Sequence, residues 1–200
     1  YTSLNLRYPP RFTQVNTGHE AIEELKSNRY ELIICMPNMD NSEVFEMSKK
    51  IKESHPDIPI VVLTPFSKEV TKILAKEDLR GIDYVFSWLG DTDLLLAIIK
   101  LIEDRMNVDH DVKTVGVQTI MVVEDSVRFY SSMLPMLYKF VLYESKEFSK
   151  EALNDHLRML RMRGRPKILL ARTYEEAIDL YAKYGNNMLG VITDMSFSRE

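Results

Sequence analysis

Two apolar runs in the second half of the chain, Ile120-Met-Val-Val and Gly190-Val-Ile-Thr, both end in acid: Glu124-Asp125 after the first, Asp194 after the second. An apolar strand that delivers a carboxylate at its carboxyl end places charge at the mouth of a parallel sheet. Parallel strands need crossover connections, and the segments between the runs carry the helical spacing that supplies them. The chain is thereby constrained to an α/β architecture, with ligand groups expected outside the carboxyl ends of its strands. Carboxylates gathered at that edge repel one another unless a divalent cation or a proton joins them. The pattern points to a Mg2+-assisted phosphoryl site.

The alternation of strand and helix signals runs through the whole chain. Phe12-Thr-Gln-Val-Asn-Thr17 is expected to be a strand, and Gly18 to Leu25 a helix with Ala21, Ile22 and Leu25 on one face. Leu32–Met36 is a buried strand ending at Pro37. Ser42 then caps a helix bearing Val44, Phe45, Met47 and Ile51. Ile58–Leu63 and Ile82–Phe86 are further strands, with a helix around residues 70–76 between them and a last helix from Asp91 to Met106. Residues 107–116 are polar and lack periodicity, so they are expected to form a linker. The pattern restarts with strand Thr119–Val123, a helix from near Ser126, strand Lys167–Ala171, helix Tyr174–Tyr184 and strand Leu189–Thr193. Two copies of one pattern follow from this: residues 1–106 without an opening strand, and residues 117–200 without the closing two βα units.

Composition removes several function classes. A net charge of −4 gives no electrostatic ground for binding nucleic acid. No run approaches the roughly 20 apolar residues that span a bilayer, and no secretory signal opens the chain. The single cysteine, Cys35, cannot form an internal disulfide, which fits a reducing compartment. A cytoplasmic protein without nucleic-acid or membrane partners is expected.

On these residues, the segment from Thr119 to Glu200 resembles the first three βα steps of a response-regulator receiver domain. Glu124 and Asp125 match the family's acidic pair, and Asp194 its phospho-accepting aspartate. The resemblance implies a flavodoxin-like doubly wound sheet and a Mg2+ ion bound by Asp125, Asp194 and the backbone carbonyl of Ser196. Glu124 would reach the metal through water. It also implies a histidine kinase or another phosphodonor as input. The Thr or Ser and the Lys that receivers carry after their fourth and fifth strands have no counterpart in this segment.

The first half resembles a receiver from its second strand to its last helix. Aligned without gaps, Met36 occupies the acceptor position, and Thr64 lies 64 − 36 = 28 positions on, where the family has its switch threonine. Asp83-Tyr84 matches the family's Asp-Tyr, and the expected lysine falls at Ser87. A thioether cannot accept a phosphoryl group as a carboxylate does, and Asp40 lies four residues into the following loop. The first half is therefore expected to be a pseudo-receiver that keeps the fold without the chemistry.

Asp125 and Asp194 stand 194 − 125 = 69 positions apart, more than receivers have there. The excess is a helical insertion at about residues 138–166. Met133, Leu134, Leu137, Phe140 and Val141 begin an apolar stripe, and Phe148, Ala152, Leu153, His156, Leu157 and Leu160 resume it. One long helix, or two with a bend, would need a partner: the pseudo-receiver, a second copy of the chain, or a downstream effector domain. The basic run Arg158, Arg161, Arg163, Arg165 and Lys167 is expected to be a solvated helix terminus that complements the helix dipole, the alternative being contact with an acidic partner. The four histidines are scattered without metal-ligand spacing.

The expected function is signal reception in a phosphorelay, with no enzyme in the segment itself. The arrangement also resembles an N-terminal region that in some bacteria precedes a phosphoenolpyruvate synthase or pyruvate phosphate dikinase-like enzyme. The rival reading is a dimerisation or docking scaffold in which Asp194 stays unmodified. A haloacid dehalogenase-type phosphatase ranks last, because Ser196 stands where that chemistry needs a second aspartate.

Overall fold

A computed structural model describes residues 10–36, 43–65, 79–88, 90–150 and 164–194, with side chains for 148–150 left aside. The chain divides into two compact units, Tyr1–Trp88 and Leu89–Glu200.

In the first unit, β1 (Ile33–Cys35), β2 (Ile60–Pro65) and β3 (Tyr84–Trp88) form a parallel sheet in the order β1-β2-β3. The central strand β2 is buried from Ile60 to Thr64, as its unbroken apolar run requires. Helices α1 (Gly18–Ser27) and α2 (Glu43–Ser54) belong to this unit and bury Leu25 and Phe45, Met47 and Ile51 respectively. Asp83 holds the layers together. Its Oδ2 accepts from Ile60 N at 2.9 Å and pairs with Lys52 Nζ at 2.7 Å, while Lys52 also donates to the carbonyl of Ile58. Asp83 thus clips the end of α2 to the start of β2.

In the second unit, β4 (Thr119–Val123), β5 (Lys167–Ala171) and β6 (Met188–Thr193) are parallel in the order β5-β4-β6. The unit's second and third strands flank its first, the 2-1-3 order with which a flavodoxin-like sheet begins. The expected α/β class with parallel sheets holds. Helix α3 (Asp93–Val115) packs on α4 (Val127–Lys150) and on β5, while α5 (Tyr174–Tyr184) lies on β4 and β5. Val108, Leu169 and Tyr184 form one core cluster, and Met121, Val123, Ala171 and Ala177 another.

One local device appears in both units. Thr17 caps α1 by accepting from Glu20 N at 3.1 Å, and Glu20 returns a bond to Asn16 N. Thr173 caps α5 by accepting from Glu176 N at 3.1 Å, and Glu176 returns a bond to Arg172 N. Both follow a Thr-x-x-Glu-Ala-Ile sequence, a capping box that satisfies donors at the helix start.

Three expectations need correction. Residues 12–17 carry no strand; they are exposed, without a ladder partner among the described residues, and extended backbone is not kept as a strand without pairing. The expected linker at 107–116 is helical through Val115, and Gly116 ends the helix at φ 72°. Val108 and Val112 supply its apolar side, and its acids are partnered: Asp109 meets Lys183 and Asp111 meets Lys167, both at 2.8 Å. The helix expected to end the first domain at Met106 is therefore the first part of α3, which lies in the second unit, and the division falls after Trp88.

The third correction concerns the basic run. Arg165 and Lys167 are buried rather than solvated. Asp104, fully buried on α3, receives both ends of the Arg165 guanidinium, with Nη2 to Oδ1 at 2.7 Å and Nη1 to Oδ2 at 2.9 Å. Tyr138 OH from α4 and Ile168 N from β5 each donate to the same carboxylate at 3.0 Å. An ion pair removed from water is kept only when such extra donors fill its lone pairs. This cluster pins the returning end of the insertion to α3 and α4. Arg158, Arg161, Arg163, the stripe residues Ala152 to Leu160, the cap Ser42, Asp40 and the helix around 70–76 lie outside the described residues.

Beside the cluster, burial acts to raise the Asp111 carboxyl. Hydrogen bonds from Lys167 and His110 outweigh it and hold the group below its usual value of 3.8. A depressed folded value contributes stability that is full above the unfolded pKa and is lost as pH falls below about 4. Asp111→Asn is expected to lower stability at neutral pH by no more than about 1 kcal/mol, because the pair is partly solvated. Urea titrations at pH 6 and pH 3 should show a smaller difference in the variant than in the parent.

Candidate acidic site at the carboxyl edge of the second sheet

The ladder of the second sheet runs one residue past its strands. Val123 aligns with both Ala171 and Thr193. Beyond that register, Glu124 N donates to Ala171 O at 3.0 Å and Asp194 N donates to Val123 O at 3.3 Å. The backbones of Glu124 and Asp194 are thus fixed side by side at the carboxyl edge by strand pairing alone.

The side chains differ in setting. Glu124 is buried, and its Oε1 accepts from Ser126 N at 3.0 Å, closing the turn that opens α4. Asp125 is exposed just before that helix, where the partial positive charge of the N-terminus favours an anion. Asp194 is exposed, and the Thr193 hydroxyl donates to its carbonyl at 2.9 Å. All three are hard oxygen donors of the kind Mg2+ takes. Among the described residues, no three His, Cys, Asp or Glu side chains converge into a metal-holding group. The donor chemistry fits the ion; the side-chain positions do not close round one. Ser196 lies outside the described residues.

The first unit presents its three corresponding positions at the same edge of its own sheet. Met36 follows β1 and is 67% exposed. Thr64 and Ser87 are register partners on β2 and β3, and both are buried. No carboxylate stands among the three.

About half the chain is similar to bacterial transcription regulators. The transcriptional regulatory protein ZraR of Escherichia coli K12 is 24% identical over 100 residues, which is 50% of this chain and 22% of that protein. Its namesake in Klebsiella oxytoca is 27% identical over 88 residues, 44% of this chain and 20% of that protein. The chain spans about a fifth of their length. No family model and no solved structure matches.

Reasoning from sequence missed the Asp104 cluster. The signal was there: Asp104 stands three positions after Leu101, on the helical face that the largely apolar run Leu94 to Ile102 buries. No described helix is long and apolar enough to cross a membrane.

Proposed function

We propose that the second unit is a phosphoryl-accepting receiver with Asp194 as the acceptor, and that the first is a pseudo-receiver emptied of that chemistry at Met36. The observation that carries the reading is the pairing of β4 with β6, which sets Glu124 and Asp194 side by side in a 2-1-3 sheet. An oxygen of the Asp194 carboxylate bonds to phosphorus while the bond from phosphorus to the donor breaks, and the donor leaves with that electron pair. Its exposure at the sheet edge leaves Asp194 open to a histidine kinase or a small phosphodonor. Asp125, Asp194 and the Ser196 carbonyl would hold Mg2+, with Glu124 reaching it through water, and the ion's chemistry there is neutralisation of charge on the transferring oxygens. The acyl phosphate adds charge and acceptor oxygens beside α4, and a two-state face of the unit responds.

In this reading the segment is regulatory and not itself an enzyme. It works in the cytoplasm and passes its signal to an effector domain such as a phosphoenolpyruvate synthase-like module. The test is intact-mass measurement after acetyl phosphate and Mg2+. The parent should gain the mass of one phosphoryl group, and Asp194→Asn should gain none. A parent that gains nothing leaves the scaffold reading in its place.

A further inference from the structure

Helix α4 carries an exposed apolar seam. Phe129, Met136, Phe140 and Tyr143 are 58%, 65%, 62% and 59% exposed, and half-buried Met133 lies between them. The opposite face, with Tyr130, Leu134, Tyr138 and Val141, is buried in the unit's own core. Phe129, Met133, Met136, Phe140 and Tyr143 repeat at alternating steps of four and three, the spacing of coiled-coil core positions. Pro135, which removes one backbone bond of the helix, lies off this seam. Large apolar side chains in one exposed row mark an association surface.

We infer that this seam pairs with the same seam of a second copy of the chain, the two helices running parallel. The flanking charges select both the occupant and the direction. Lys139 lies on one flank of the seam and Glu144 on the other, five positions later. In a parallel pair each flank meets the opposite flank of its neighbour, so Lys139 of one copy meets Glu144 of the other, twice by symmetry. In an antiparallel pair each flank meets its own kind, so Lys139 of one copy and Glu144 of the other lie on different sides of the interface and this contact is not made. Within its own unit Lys139 also pairs with Asp93 at the start of α3, which holds its ammonium on that flank. The seam ends where Glu147 takes the next core position, so the contact is short and its strength rests on the aromatic and methionine anchors. It does not depend on phosphorylation of Asp194.

Sedimentation equilibrium of the whole chain should show a reversible dimer. Met136→Glu, at a position already exposed to water, should weaken that dimer by about 100-fold without changing the thermal melt. Glu144→Lys should weaken it, and adding Lys139→Glu to the same chain should restore it. Direction is read by oxidative cross-linking of Met136→Cys and Phe140→Cys made separately. A parallel pair joins each cysteine to its own counterpart, so both variants should form covalent dimers. The native thiol does not interfere, since Cys35 is buried and its pKa is pushed up to about 11. A chain that is monomeric throughout overturns the proposal, the seam then being free or covered within one chain. Self-association that survives Met136→Glu, as pairing through the exposed strand β6 would, also overturns it. Cross-linking at one position alone overturns the parallel pairing.

Discussion

Arg165→Ala is expected to cost the second unit about 3–5 kcal/mol, the scale for removing one partner of a buried ion pair. The loss would come less from the missing attraction than from the group left behind. Asp104 is fully buried, and without the guanidinium its charge is met by Tyr138 OH and Ile168 N at 3.0 Å, with Lys167 Nζ farther off at 3.8 Å. Urea unfolding followed by circular dichroism would measure it. The double variant Asp104→Leu with Arg165→Met should cost clearly less than the sum of its two single changes, because neither charge is then left alone. If the single change costs under about 1 kcal/mol, water reaches the cluster and screens the charge left on Asp104.

Gly81→Ala should destabilise the first unit by about 1–3 kcal/mol, and Gly81→Val by more. A Cβ at this position would stand 2.8 Å from the backbone nitrogen of Lys49 and 2.8 Å from the carbonyl carbon of Ser48. Both atoms belong to α2, so the clash cannot be relieved by turning a side chain; the helix itself must move. Nearby, Ser48 is fully buried and donates to Val44 O at 2.7 Å, and Lys52 on the same helix is tied to Asp83. A shift of α2 would therefore disturb the clip at the start of β2 as well. Differential scanning calorimetry should show the change in the transition of the first unit, with that of the second left in place.

The elements that could be read from sequence are those whose signal is local. Strands Thr119–Val123 and Lys167–Ala171 and helix Tyr174–Tyr184 have the bounds expected of them, because apolar runs are flanked there by turn and capping residues. The edge position of Glu124 and Asp194 was equally legible, since a residue that ends a parallel strand sits at the sheet's carboxyl edge wherever the strand lies. What could not be read were features decided by distant partners. Phe12–Thr17 has strand composition, but pairing, not composition, keeps a strand. Residues 107–115 look polar only until Lys167 and Lys183, more than fifty positions away, are placed against Asp111 and Asp109. Arg165 belonged by spacing to a surface run, yet it became the counter-ion of a buried aspartate sixty-one positions earlier.

Strand β6 has a consequence for handling the protein. It borders β4 on one side only among the described residues, and Leu189, Val191 and Ile192 on it are exposed. A strand with unpaired backbone groups and aliphatic side chains is a template on which other chains can add as further strands. At high concentration the 200-residue chain should grow turbid more slowly when Val191 is changed to lysine, a residue that natural sheet edges use to refuse such additions.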